Sequence, residues 1–428
     1  MAFLRYAPPH YADGVSLPRR SLTGDELPSA RSVSFSIHKG SDVEHPHVTT
    51  LTAFFAEFVL HDLSHAAQAA GHRGHRIKCC GLSEEMMHPE CQPIVIANDP
   101  DFDKSQSCME YVRTCPALTM GCTLGPRQQI NQVSSFLDGS TIYGSSEEEA
   151  QALRTFTGGE IKSQRVTKAG KARELLQPVE NAQDCRSSDK KKCFRSGDIR
   201  VNENMGLTLM HTLMMREHNR IARGLSRLNT HWDDEQVFEE ARRIIGAQLQ
   251  HITYAELLPS ILGQEVIDEY GLRLETSGYY TGYDIDANPG VDNAVATSVL
   301  PFLYSMMPSK FERYSHQLKM LGTKMMGDTY FNPSELYDGN KFDEYLMGMV
   351  SQNAHNSDLV VSNEMMSIGT RDPFDLVSIV IQQGRDHGIP GYVEWRKLCK
   401  IQPQINSFKD LEKIMNITVA QKFARLFK

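Results

Sequence analysis

The 428-residue chain predicts a mainly α fold, one large helical domain with long loops and few short strands. Three observations carry that expectation. Two stretches, 205–228 and 233–258, repeat apolar residues at helical spacing. A third, around Phe54, Phe55, Phe58, Val59 and Leu63, reads as a buried amphipathic helix. Strand-like alternation is sparse, and no Pro/Ser-rich linker, repeat period or low-complexity block divides the sequence.

Taken in order, residues 1–50 are rich in Pro, Ser and His and read as an irregular arm around the core. Residues 51–70 are the first strong helix, and 71–130 are loop-dominated. Residues 130–143 combine a short helical start with a turn centred on Asp138-Gly139. The helix at 205–228 follows. The next, 233–258, carries Val237, Ala241, Ile244, Ile245, Leu249 and Ile252 on its apolar face. Further helical patterns cover 293–307, 342–349, 375–383 and 392–399.

A net charge of −8 argues against a nucleic-acid or anionic-membrane partner. No apolar run reaches the roughly 20 residues of a transmembrane helix. Six of the nine cysteines lie between Cys79 and Cys122, among Gly, Pro and Asn, and Cys185 and Cys193 form a short pair. Loops stapled by disulfides, as in secreted proteins, explain this clustering. Zinc does not, because Cys79-Cys80 followed by Cys91 lacks paired C-x-x-C spacing. Asn416-Ile-Thr is a possible glycosylation sequon.

His61 and Asp62 carry the chemistry. Adjacent helical positions point about 100° apart, so an imidazole and a carboxylate there can serve two different sites. On their own they are an ordinary helix pair. Two later segments change that, Ser134-Ser-Phe-Leu-Asp-Gly-Ser-Thr-Ile-Tyr-Gly144 and Gly197-Asp-Ile-Arg-Val-Asn-Glu203. In the first, Ser134, Phe136, Asp138 and Ser140 alternate, so a curved loop can turn them toward one hard cation, Phe136 through its main-chain oxygen. Asp62 would complete the cage.

Together the three segments resemble the myeloperoxidase type of animal haem peroxidase, from Tyr11 to about Leu426. The resemblance implies haem b and Ca2+, with His61 facing haem and Asp62, Ser134, Phe136, Asp138 and Ser140 holding calcium. His61 and Arg200 are then the catalytic pair. Peroxide cleavage needs a base that moves a proton between the two oxygens and a fixed cation beside the departing one. The plain alternatives are a satisfied core histidine and an Arg200–Asp198 salt bridge. The implied substrates are hydrogen peroxide and a small organic or halide donor, in a secreted, extracellular setting. Glu203 matches a glutamate that is esterified to haem in mammalian members. Leu60, Glu57 and Asn204 stand where the family has an aspartate, a glutamine and a methionine.

The proximal side departs further. Asn293 and Pro308 fix the register of Asn293-Ala-Val-Ala-Thr-Ser-Val-Leu-Pro-Phe-Leu-Tyr-Ser-Met-Met-Pro308, and Tyr304 occupies the iron-ligand position of the family's histidine. Val380 replaces the asparagine that orients that histidine, and Pro301 and Gln383 replace two arginines near the propionates. A tyrosine can ligate haem iron only as phenolate, which nearby positive charge must hold. Arg385 is the candidate cation. Met306 and Met307 read as core.

The resemblance also implies crossed bridges among Cys79, Cys80, Cys91 and Cys108, a Cys185–Cys193 bridge, and ends shorter than the family's, leaving Cys399 as the odd cysteine. His65, His72 and His75 read as solvated surface, and Lys190-Lys-Lys192 as an exposed loop. The segments Arg216–Arg220 and Arg385-Asp-His387 read as structural. Two functions follow: a peroxidase with impaired or altered turnover, or a non-catalytic, calcium-stabilised extracellular scaffold that binds a protein partner.

Overall fold

The computed structural model describes residues 1–96, 99–118, 125–168, 171–180, 184–188, 190–366 and 374–427. Among these, α-helices dominate: α1 (Ala30–His38), α2 (Thr50–Leu63), α3 (Ser140–Tyr143), α4 (Glu147–Leu153), α5 (Met205–Leu228), α6 (Asp234–Ile252) and α7 (Leu258–Leu262). Then come α8 (Gln264–Glu269), α9 (Lys341–Ser351), α10 (Asn363–Met366), α11 (Leu376–Asp386), α12 (Tyr392–Leu398) and α13 (Ile417–Leu426). Strands occur as antiparallel pairs: β1 (Glu44–Thr49) with β8 (Asn353–His355), β2 (Ile94–Val95) with β3 (Cys108–Met109), β4 (Ser163–Lys168) with β5 (Lys171–Leu176), and β6 (Lys310–Tyr314) with β7 (Met320–Met325).

The core is built on α2 and α5. Phe54 and Phe58 of α2 are fully buried, Phe54 stacking on Phe311 with ring centroids 5.2 Å apart. Each such ring contributes roughly 1.5–3 kcal/mol by leaving water. The two helices approach closely because residue 206 is glycine, where a Cβ would collide with the Phe54 ring. Helix α5 begins at Asn204, whose side chain accepts from Leu207 N at 2.9 Å. Helix α6 begins with a capping box between Asp233 and Gln236. These helices match the sequence periodicity, although Ile244 is partly exposed and the helical path breaks into a π turn at Thr253–Leu257.

Three expectations need correction. The 1–50 arm is not wholly irregular. Ser29 caps α1, Val33 and Ile37 bury its apolar side, and Arg31 inside it bonds Asp99, Asp101 and Asp375 at 2.5, 2.9 and 2.7 Å. At 130–143 the order is reversed, the turn preceding helix α3, with Gly139 at φ 76° supplying the left-handed residue. Finally, 293–307 is not a regular α-helix. It runs as a π turn, Val295–Val299, and then a 3-10 turn, Leu300–Met306, the change falling where Pro301 removes a donor. Met306 and Met307 are core, as expected.

The disulfides are Cys79–Cys91 crossed with Cys80–Cys108, and Cys185–Cys193, as the resemblance implied. Cys399 is an exposed free thiol and Cys115 a partly buried one; Cys122 lies outside the described residues. Lys191 and Lys192 are tied to Asp338 and Glu180 rather than free in a loop. In the segment around His218, its ring bonds Tyr143 Oη at 2.8 Å and Gly159 O at 2.9 Å, and Arg220 pairs with Glu217.

Asp386 and His387 anchor the end of α11. The fully buried Asp386 carboxylate accepts from Arg113 Nε at 2.6 Å and Thr114 N at 2.8 Å. His387 bonds Asn293 Oδ1 and Thr114 Oγ1, both at 2.7 Å. Removing one partner of a buried pair strands the other charge, which costs about 3–5 kcal/mol. Asp386→Ala therefore lowers unfolding free energy by about that amount in urea titration, with an unchanged slope.

Candidate functional site

The pitch of α2 separates its two polar neighbours. His61 is buried, and its Nδ1 has no hydrogen-bond partner among the described residues. Burial first, then the positive charge of Arg200, keeps this imidazole neutral well below its ordinary pKa. Arg200 sits on a 3-10 turn, Ile199–Asn202, capped by Asp198. Its guanidinium donates to Asp198 at 2.6 and 2.9 Å, to Ser64 O at 3.0 Å and to His61 O at 3.2 Å. Burial opposes the ionised Asp198, but Arg200 holds that carboxylate far below its usual range. The Arg200–Asp198 salt bridge is thus present, and it fixes the cation against the backbone of His61. His65 is half-buried beside this pair, pushed down to about 4 by burial and Arg200; His72 and His75 are exposed.

One turn before His61 lies Glu57. Asn204 Nδ2 donates to its Oε2 at 3.2 Å. Burial, then Glu203, raises Glu57 far above an ordinary carboxylate, and burial likewise raises Glu203. Two such carboxyls in one dry space favour a shared proton over two charges. Tyr304 feels the same space. Burial first, then Glu203 and Glu57, push its phenol above its normal range, against a weaker pull from Arg200. Tyr330 joins them, its buried hydroxyl without a partner among the described residues. Sequence reading had marked Glu57 only as a departure and missed Tyr330, because nothing near Phe331 in the chain signals a site.

The residues expected on the peroxide side fit haem: a neutral imidazole with an unpaired Nδ1, a cation fixed by Asp198, and Glu203 within reach of that cation's charge. The residues expected on the axial side do not fit. Tyr304 is held as a phenol first by burial and then by the charges of Glu203 and Glu57, and Arg200, the cation acting on it, is committed to Asp198. Arg385 is not among the charges acting on Tyr304, although both line one cavity of about 480 Å3. Pro301 and Val380 line it too.

On the other side of α2, Asp62 reaches the loop around Asp138. Its Oδ2 accepts from Gly139 N at 3.1 Å; its Oδ1 accepts from Thr141 N at 2.9 Å and Ser140 Oγ at 3.3 Å. Asp138 Oδ1 accepts from Ser140 N at 3.0 Å, and Ser134 Oγ from Phe136 N at 3.2 Å. Burial raises Asp62 to about 6, and repulsion from Asp138 adds to the rise. An all-oxygen donor set with two mutually repelling carboxylates is what a hard divalent cation neutralises.

Comparison with known proteins identifies the family. The family model for animal haem peroxidase matches residues 1–428. The chain is 33% identical to a peroxidase of Drosophila melanogaster, covering 99% of this chain and 63% of that protein. It is 34% identical to Drosophila peroxidasin, covering 100% of this chain and 29% of that protein. It therefore spans less than two thirds of either relative. Peroxidase A from Dictyostelium discoideum superposes with a TM-score of 0.81 at 26% identity, covering 100% of this chain and 79% of that one. The chain belongs to the animal haem peroxidase family.

Proposed function

We propose that the chain is a haem-peroxidase-family oxidoreductase acting on hydrogen peroxide with an organic or halide donor, its turnover impaired or altered by Tyr304. One observation carries this reading. The phenol at position 304 is fully buried, with the charges of Glu203 and Glu57 adding to the effect of burial in keeping its proton on, so it is a poor substitute for an oriented imidazole. What the peroxide side keeps is acid–base capacity. His61, neutral and with its Nδ1 unpaired, can take a proton from peroxide and return it, while Arg200 lowers the cost of negative charge nearby. Asp62, Ser134, the Phe136 carbonyl, Asp138 and Ser140 would hold Ca2+ and brace the helix carrying His61. Three disulfides support an extracellular setting.

The Asp62 junction supports a second reading, because it is intact whatever happens at Tyr304. In that reading the fold is a calcium-stabilised extracellular scaffold for a protein partner. Supplying haem and recording the Soret band, then peroxide-dependent oxidation of a chromogenic donor, separates the two. The proposal expects a weak or displaced band and slow oxidation. Folded, calcium-binding protein that stays colourless favours the scaffold. A strong histidine-type band with rapid turnover contradicts the account of Tyr304.

A further inference from the structure

Helix α13 opens on Asn416-Ile-Thr418, an Asn-x-Thr triad whose three residues are all exposed. The opposite side of the helix is anchored, with Ala420 buried in a small apolar cluster beside Ile405 and Leu411. Asn416 caps the helix, its Oδ1 accepting from Thr418 N at 2.9 Å. Its Nδ2 donates to no acceptor among the described residues.

Asn332-Pro333-Ser334 is the one other place in the sequence where Asn stands two residues before Ser or Thr. It differs in each respect that matters. Proline in the middle excludes it as an acceptor of N-linked sugar. Asn332 is half-buried, and its Nδ2 is already used, donating to Asp328 O at 3.3 Å. At Asn416 the two amide atoms have separate fates: the oxygen holds the helix end and the nitrogen is free. A substituent on that nitrogen leaves the cap in place, because the accepting oxygen is untouched.

We propose that Asn416 is an N-glycosylation site, its Nδ2 carrying a glycan received from a lipid-linked oligosaccharide. In that transfer a bond forms between Nδ2 and the first carbon of the sugar. The bond from that carbon to the lipid pyrophosphate breaks, and the amide nitrogen gives up one proton. Transfer acts on the extended chain, so the part of the fold is to leave room for the product, which an exposed first helical turn does. A bulky, hydrophilic glycan there also screens Ile417, which is 53% exposed, from other proteins. The inference rests on the extracellular setting proposed from the three disulfides, because sugar transfer and disulfide formation share one export route.

Expression of the full chain in animal cells behind a cleavable secretory leader tests it. The product should run as a single discrete step above its unmodified size in gel electrophoresis. Peptide N-glycosidase should remove that step and leave aspartate in place of Asn416 in the peptide mass. Thr418→Ala keeps Asn416 and its cap, which uses only the backbone nitrogen of residue 418, and should abolish the step. Thr418→Ser should retain it, and Asn416→Asp, an equally good cap, should run as the deglycosylated protein. The Cys185–Cys193 bridge, read by mass spectrometry, reports independently that the chain has passed through an oxidising compartment. Bridged protein with an unmodified Asn416 overturns the proposal and leaves the extracellular reading standing. A step that persists in Thr418→Ala places the glycan elsewhere and overturns it too. Unbridged cysteines contradict the extracellular reading, and the proposal falls with it.

Discussion

If Asp62 and the loop around Asp138 hold calcium as proposed, stripping it with a chelator at about pH 7.5 should lower the thermal midpoint by roughly 3–6 °C, and at about pH 5 by about half as much. The basis is Asp62. Its folded pKa lies at about 6, above the ordinary 3.8, because the carboxylate is buried and faces Asp138. A group raised in the folded state contributes stability that is complete below its unfolded value and lost as pH rises through about 6. At neutral pH the metal-free fold therefore carries a charge that costs about 3 kcal/mol, for a rise from 3.8 to about 6. A bound divalent ion offsets that cost, and at a hundredfold excess over its dissociation constant adds about 2.7 kcal/mol. At pH 5, one unit below that pKa, protonation weakens calcium about tenfold, so about 1.4 of the 2.7 kcal/mol remains. His61, His65 and His211 titrate with the opposite sign, being buried neutral, so the overall pH profile mixes contributions. Asp62→Asn isolates the one in question: its midpoint should no longer respond to calcium at either pH. A variant that keeps the full response would place the ion elsewhere.

The same residues show what a linear sequence can and cannot display. Helices α2, α5 and α6 were legible because their apolar period is a local property. Tyr304 is expected at the family's histidine position because Asn293 and Pro308 bracket it without a gap. Helix α1 was hidden in a Pro/Ser-rich stretch, since the carboxylates that hold Arg31 come from 99, 101 and 375. The reversal at 130–143 turned on whether Asp62 would bond Gly139 and Thr141, a contact across nearly eighty positions. Glu57 could be read as an odd residue but not as a neighbour of Glu203 and Tyr304. Arg385 looked like part of the anchoring segment that Asp386 and His387 form. Only folding separates three consecutive side chains into two destinations.

If Tyr304 holds the axial position as proposed, placing an imidazole there should not by itself secure haem binding. In Tyr304→His the new ring gains no acceptor from residue 380, since Val380 offers only methyl groups, so neither its tautomer nor its plane is fixed. The acids that suppress the phenolate also remain, and they would raise the new imidazole's affinity for a proton, which competes with metal. Tyr304→His together with Val380→Asn supplies ring and acceptor at once. An outer partner of this kind is typically worth 10–100-fold in metal affinity. Titrating haem into the three variants and following the Soret band should therefore give weak retention in both single changes and at least tenfold tighter retention in the double. Adding Glu57→Gln, which removes one acid, should tighten the double further if that residue acts through its charge. Both substitutions lie on elements facing the 480 Å3 cavity, where a polar side chain is tolerated beside Arg385, so loss of folding is not expected. Full haem retention by Tyr304→His alone would show that orientation at residue 380 is dispensable here, and that the axial half was lost through the tyrosine and nothing else.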